Sequence, residues 1–297
     1  MPKRQYGVST HLYLARRLNR DHLLEIASHG FETIELFAAR AHFDFHSAAA
    51  IGDLQGWLAD AGLTLHAIHA PIGERYQAGR WSGALSIASA DARARDLALA
   101  EAGEALFVAR RIPAAVFVVH LGLPRWQRAD GPSDPGLPSV GADLRVRPGD
   151  TRDAARRSVD ALADLAAPLG VRVAVEVIPN ELSRAGSLVH FIDTLDRPDV
   201  GICLDFGHAH LDGDLVDTID DVSEHLAAVH VHDNRGRSDD HLVPFEGTID
   251  WAVALTGIQK VGYEGPLMLE PDARGAAKET LAKAARARAR MERLLAT

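Results

Sequence analysis

The sequence predicts a single (β/α)8 barrel with a long loop insertion after the fourth strand. Three observations predict it. Short apolar runs alternate with stretches of helical spacing along the whole chain. These runs are continuously apolar, as in parallel strands covered by helices. Nearly every run ends in a histidine or a carboxylate. The length, 297 residues, suits one barrel of roughly 250 residues plus an insertion. A doubly wound open sheet is the runner-up, but no glycine-rich phosphate loop follows the first strand.

The elements follow in order. Gln5–Ser9 is β-prone and leads into Thr10 and His11. Arg20–His29 has helical spacing and stops at Gly30, a C′ residue. Thr33–Phe37 is the second strand, with Glu35 inside it. Ser47 is placed to cap a helix running to Ala61 and ending at Gly62. Leu63–Ile68 is the third strand, followed by His69, Ala70 and Pro71. A long Ala-rich helix is expected from about Leu85 to Arg111, weakened at Gly103. Ala115–Val119 is the fourth strand, closed by His120. Leu121–Asp150 is rich in Pro, Gly and Arg without periodicity, and a segment of this length is expected to be a substrate-covering loop.

Regular spacing resumes with a helix over Thr151–Leu169 and a strand over Val171–Val177 that carries Glu176. A short helix spans Leu188–Leu195. The strand Val200–Leu204 ends in Asp205, with His208 close behind. Leu215–His225 is helical. Leu226–Val231 is a strand whose end holds His230, His232, Asp233 and Asn234, and Asp239 and His241 come soon after. Ile249–Val261 is helical, Pro266–Leu269 is the last strand before Glu270, and Ala276–Leu295 is the closing helix. Its arginines (Arg286, Arg288, Arg290 and Arg293) read as a solvated outer face.

Composition narrows the function classes. A hydrophobic share of 47% supplies a sizeable core. Net charge is −9, which opposes a broad nucleic-acid footprint. No run is apolar for about 18 residues, so no membrane span is expected. The first residues lack the apolar segment of a secretory signal. With one cysteine, Cys203, no internal disulfide can form, and a cytoplasmic location fits.

In a barrel of this type the C-terminal strand ends converge on one mouth. Here they bring His69, His120, Glu176, Asp205, His208, His230 and Glu270, with Asp239 and His241 in the loop after the seventh strand. Burying so many polar groups together is costly unless they are paired or bind cations. Imidazole with carboxylate suits Zn²⁺, Mn²⁺, Co²⁺ or Fe²⁺. The substrate-contacting set is expected to be His11, Glu35, Trp126, Asn180 and Arg235.

Seven segments carry a resemblance: IHAP (Ile68–Pro71), VVHLG (Val118–Gly122), VEVIPN (Val175–Asn180), LDFGHAH (Leu204–His210), HVHDN (His230–Asn234), DDHLVPFEGTIDW (Asp239–Trp251) and GYEGPLMLEP (Gly262–Pro271). The pattern resembles the xylose-isomerase-like TIM barrel superfamily, which holds sugar isomerases and epimerases and the endonuclease IV type of abasic-site nuclease. The epimerase resemblance implies one divalent metal on Glu176, Asp205, His230 and Glu270, with the two glutamates as the acid/base pair. The nuclease resemblance implies three metals: His69, His120 and Glu176 on the first; Glu176, Asp205, His230 and Glu270 on the second; His208, Asp239 and His241 on the third.

The resulting expectation is a divalent-metal-dependent isomerase or epimerase of a sugar or close relative, using one to three ions of Zn, Mn, Co or Mg. Its partner is a small carbohydrate, and a homo-oligomer is open. A multinuclear phosphodiesterase or abasic-site endonuclease is one alternative. A lyase or dehydratase on the same barrel is another.

Overall fold

The apolar runs pair in parallel around a closed ring. The computed structural model describes residues 4–77, 80–123, 148–272 and 275–296. The strands are β1 (Tyr6–Ser9), β2 (Thr33–Phe37), β3 (Thr64–His69), β4 (Gly73–Gln77), β5 (Arg80–Ala84), β6 (Val116–Val119), β7 (Arg172–Glu176), β8 (Val200–Asp205), β9 (Leu226–Val231) and β10 (Leu267–Leu269). All but β4 and β5 form the barrel, in the order β1-β10-β9-β8-β7-β6-β3-β2. The helices are α1 (Arg20–Ser28), α2 (Ala48–Ala61), α3 (Ala92–Leu106), α4 (Pro148–Ala166), α5 (Ala185–Leu195), α6 (Phe206–Asp212), α7 (Leu215–Val222), α8 (Trp251–Lys260) and α9 (Ala277–Leu295).

Strand periodicity sorts the side chains. Successive strand residues point to opposite faces. Phe117, Val119, Val173, Val175, Ile202, Leu204, Val229 and Val231 join the main core with the helices. The alternate set, Ala67, Val116, Val118, Ala174, Cys203 and Ala228, forms a separate cluster of mostly small side chains inside the barrel. At the bottom, Met268 occupies the space that a side chain at Gly7 would need.

Local signals explain most helix boundaries. The Ser47 side chain accepts a hydrogen bond from the Ala50 N–H, and Gly62 ends α2 at φ 65°. The left-handed region that this end requires favours glycine. Helix α3 starts later than the expected Leu85, because Asp91 caps it by accepting from Ala94 N–H at 2.7 Å. Leu85 and Ile87 are buried in the core ahead of that cap. It also ends at Leu106, followed by a 3-10 turn over Phe107–Arg110.

Two further elements depart from expectation. An antiparallel hairpin, β4 and β5, stands between β3 and α3, with Tyr76 opposite Trp81. The short helix α6 begins directly after β8, capped by Asp205, whose Oδ1 accepts from His208 N–H at 2.8 Å. Most of the long loop expected after the fourth barrel strand, Trp126 included, lies outside the described residues. Helix α4 begins at Pro148, inside the range expected to be loop. Among the described residues no helix is long and apolar enough to cross a membrane.

Candidate metal centre

The period-two pattern that fills the barrel interior also delivers the site. Two residues beyond Ala67, Val118, Ala174, Cys203, Ala228 and Met268 stand His69, His120, Glu176, Asp205, His230 and Glu270. They form the top layer of the barrel interior, where the strands end. Glu176, Asp205, His69, His230 and Glu270 are each at most 3% exposed.

Glu176 is the hub. Its Oε2 lies 3.1 Å from His69 Nε2 and 3.0 Å from His120 Nε2. Its Oε1 lies 3.1 Å from His208 Nδ1. His230 Nδ1 is 3.6 Å from Glu176 Oε2, 3.9 Å from Asp205 Oδ2 and 3.5 Å from Glu270 Oε2. Donors bound at about 2.1 Å around a tetrahedral ion stand roughly 3.4 Å apart, so these spacings fit a shared cation. Asp205 Oδ2, His230 Nδ1 and Glu270 Oε1 are buried and make no hydrogen bond. Such orphaned atoms are costly unless something supplies a partner, and a divalent cation matches their chemistry.

A second group stands beside the first. His208 Nε2 and His241 Nε2 lie 3.3 and 3.1 Å from Asp239 Oδ2. Three imidazoles have their remote nitrogen tied down. His69 Nδ1 donates to Ala70 O at 2.8 Å. His241 Nδ1 donates to Glu270 O at 2.8 Å. His230 Nε2 donates to Glu35 at 2.8 Å. In each case the other nitrogen faces the cluster as a lone pair, the usual arrangement for a metal-binding histidine.

The two glutamates are pushed apart in proton affinity. Burial works to raise Glu176, but His120 and His230 outweigh it and hold the carboxyl well below its usual range. For Glu270 burial prevails, with Glu35 and Glu176 reinforcing it against His230 and His241, so its carboxyl is raised.

The expected substrate contacts divide. His11, just past β1, lies in the mouth with its ring stacked 4.8 Å from His241. Arg235 is exposed and lines a cleft of about 540 Å³ with His241, Asp272 and Lys283. Glu35 departs from expectation: it is fully buried behind His230, with its other oxygen accepting from Ser9 Oγ at 2.8 Å. Asn180 departs as well. Its Nδ2 donates to Leu121 O, and its Oδ1 accepts from the N–H groups of Leu182 and Ser183. Its amide is spent joining the chain after β7 to the chain after β6.

The sequence marks His232 as one of the metal-capable residues at this strand end but leaves it out of the expected ligand set. It is fully buried, and its Nε2 lies 2.9 Å from Asp205 Oδ1. Its ring stacks 3.9 Å from His241 at 14°. With His208, Asp239 and His241 it forms a group whose candidate donor atoms lie within 4.8 Å of one another, and neither of its ring nitrogens makes a hydrogen bond. Its alternation with His230 along the strand end was the available signal. Asp233, beside it, serves the loop: its Oδ2 accepts from Trp251 Nε1 and Phe245 N–H, both at 2.9 Å.

Similarity to known proteins agrees with this architecture. An uncharacterized protein of Methanocaldococcus jannaschii is 25% identical over 273 residues, covering 90% of this chain and 83% of that one. A ketose 3-epimerase of Arthrobacter globiformis is 29% identical over 121 residues, 39% of this chain and 40% of that one. Among solved structures, a D-tagatose 3-epimerase-like protein superposes with a TM-score of 0.76 at 22% identity, covering 98% of this chain and 97% of its own. A xylose isomerase-like TIM barrel protein of Mycobacterium smegmatis, solved in complex with magnesium, gives 0.72 at 17% identity, covering 99% and 97%. The family model described as xylose isomerase-like TIM barrel matches residues 23–294. With its closed parallel barrel and this match over most of its length, the chain belongs to the xylose isomerase-like TIM barrel family.

Proposed function

We propose that this protein is a divalent-metal-dependent isomerase or epimerase of a sugar or sugar-like polyhydroxy carbonyl compound. The observation that carries the reading is that Glu176 and Glu270 both stand close to His230 Nδ1, at 3.6 and 3.5 Å. Two carboxylates with opposed proton affinities then face one small space. The ketose 3-epimerase of Arthrobacter globiformis and the D-tagatose 3-epimerase-like structure support the sugar substrate class.

Asp205, His230, Glu176 and Glu270 would hold the ion, which when bound polarises the carbonyl and acidifies the neighbouring C–H. Glu176 and Glu270 would remove and return the α-proton through an enediolate, one carboxylate acting from each side of the carbon. Return to the opposite face inverts the carbon, and return at the neighbouring carbon moves the carbonyl. His11, stacked on His241, and Arg235, which lines the adjoining cleft, would contact the substrate.

The test is turnover of ketohexoses in deuterated water, following both epimer ratio and deuterium uptake at the α-carbon. Glu176→Gln and Glu270→Gln are expected to abolish both while the far-ultraviolet circular dichroism stays native. Near-normal turnover in either variant overturns the assignment.

A second reading rests on one observation, the group of His208, His232, Asp239 and His241 beside the first cluster. A site with several ions can stabilise the attacking and leaving oxygens of a phosphodiester. It predicts nicking of abasic DNA, with binding that weakens steeply as salt rises.

A further inference from the structure

Helices α7, α8 and α9 stand side by side on the outside of the barrel, and their outward faces differ in charge. Helix α8 packs on both neighbours. A Cβ at Gly257 would meet the Ile219 side chain of α7 at 3.1 Å, and Gln259 Nε2 donates to Leu295 O of α9 at 3.0 Å. Asp217 of α7 and Glu224, in the 3-10 turn that continues it, are exposed and seven residues apart. Arg286 and Arg293 of α9 are exposed and seven apart as well. Seven residues make close to two turns, so each pair faces one way and spans about 10 Å.

These four charges are unanswered within the chain. Among the described residues none of them has an ion-pair partner. Their neighbours are occupied: Asp220 lies 3.7 Å from Lys260, Lys283 lies 2.8 Å from Glu246, and Arg290 sits over the Phe245 ring at 4.0 Å. Between the acidic and the basic stripe, α8 shows the small side chains of Ala252, Val253 and Thr256. Val253 and Val216 of α7 are exposed large apolar side chains. They are neighbours, because Val253 stands one turn before Gly257, and Val216 one turn before Ile219 and Asp220, which meet Gly257 and Lys260.

An acidic stripe, an apolar strip and a basic stripe in that order are self-complementary. A two-fold axis through α8 lays α7 of one copy on α9 of the other and repeats the contact in reverse, as an isologous interface requires. Asp217 and Glu224 then face Arg293 and Arg286 of the second copy at matching spacing, and the valines leave water at the centre. A polyanion would meet Asp217, and a polycation would meet Arg286, so neither fits the whole face. We propose that α7, α8 and α9 form a two-fold interface through which two copies of this chain dimerise. The charges set register and orientation, and the apolar strip supplies burial.

The test is sedimentation velocity of the full chain at micromolar concentration in low and high salt. The wild-type protein is expected to run as a dimer in low salt, with association weakening as salt screens the charges. One variant carries Arg286→Glu with Arg293→Glu, and another carries Asp217→Arg with Glu224→Arg. Each sets like charges against each other and should weaken association about a hundredfold. Both should keep native far-ultraviolet circular dichroism, since all four positions are exposed. Mixed in equal amounts, the two variants should pair with each other, because both charge contacts of the mixed dimer are then complementary. A wild-type protein that stays monomeric in low salt overturns the interface. So does a dimer that either variant leaves intact, or a mixture of folded variants that stays monomeric.

Discussion

Glu35 Oε2 accepts a hydrogen bond from His230 Nε2 at 2.8 Å, with both residues at most 1% exposed. The carboxylate fixes the imidazole tautomer and leaves Nδ1 as the nitrogen that faces Glu176, Asp205 and Glu270. Outer carboxylates of this kind typically contribute 10- to 100-fold to metal affinity. Glu35→Ala is expected to weaken divalent-ion binding by that order in competition with a fluorescent chelator, and Glu35→Gln by less, since an amide oxygen still accepts the bond. Wild-type affinity in Glu35→Ala would contradict the role.

Gly207 offers a steric test of the same centre. A side chain there would run into the His232 ring, and the Gly207 carbonyl already accepts from Asn234 Nδ2 at 2.7 Å. Gly207→Ala should push His232 off Asp205. Overpacking of this kind costs about 1–3 kcal/mol. We expect a lower melting temperature and weaker ion binding together. An unchanged melting curve would show that the ring can yield freely.

Metal content is the most direct measurement on the second group. The spacings of His208 and His241 from Asp239 fit tetrahedral donors, so we expect more than one equivalent per chain by elemental analysis. His241→Ala should remove one equivalent and leave the ion at Asp205 and His230 in place. A single equivalent in the wild-type protein would assign Asp239 and its histidines to substrate contact instead.

His42 carries a pH effect away from the metal centre. It is fully buried, with Nδ1 donating to Arg16 O at 2.7 Å. Burial, aided by the nearby His22 and opposed by that backbone bond, lowers it to about 4. A histidine in the unfolded chain titrates near 6.5. Below that pH the unfolded chain takes up a proton that the native one refuses, so stability is full above about 6.5 and declines as pH falls toward 4. The decline amounts to about 3 kcal/mol at most. Urea unfolding of His42→Gln and wild type between pH 7 and 4.5 should show a flatter profile for the variant. Parallel profiles would remove His42 as a source.

The strand-end cluster was legible because a parallel barrel enforces two simple regularities. Inward positions recur every second residue, and all C-terminal ends meet at one face. His69, His120, Glu176, Asp205, His230 and Glu270 were legible on those grounds. Residues whose roles depend on distant partners were not. Glu35 reads as a strand carboxylate near the mouth until His230, 195 positions away, is placed against it. Asn180 reads as a polar loop residue until the carbonyl of Leu121 arrives. The hairpin fell between Pro71 and the helix expected from Leu85, a stretch given no element, although Tyr76 and Trp81 are β-prone. Helix α6 was missed because seven residues leave little periodicity to detect.

The closure of the barrel through β1 and β10 sets an order on assembly. Tyr6, Gly7 and Val8 register with Leu267, Met268 and Leu269, so the first strand waits for the last during synthesis. Glu270, Ser9 and Glu35 flank that seam. Until it shuts, Glu176, Asp205 and His230 form only an open arc of donors. An ion that binds the finished ring and not the arc stabilises the closed barrel by mass action. A cation held there would act as a clasp, and its removal is expected to loosen first the seam between β1 and β10.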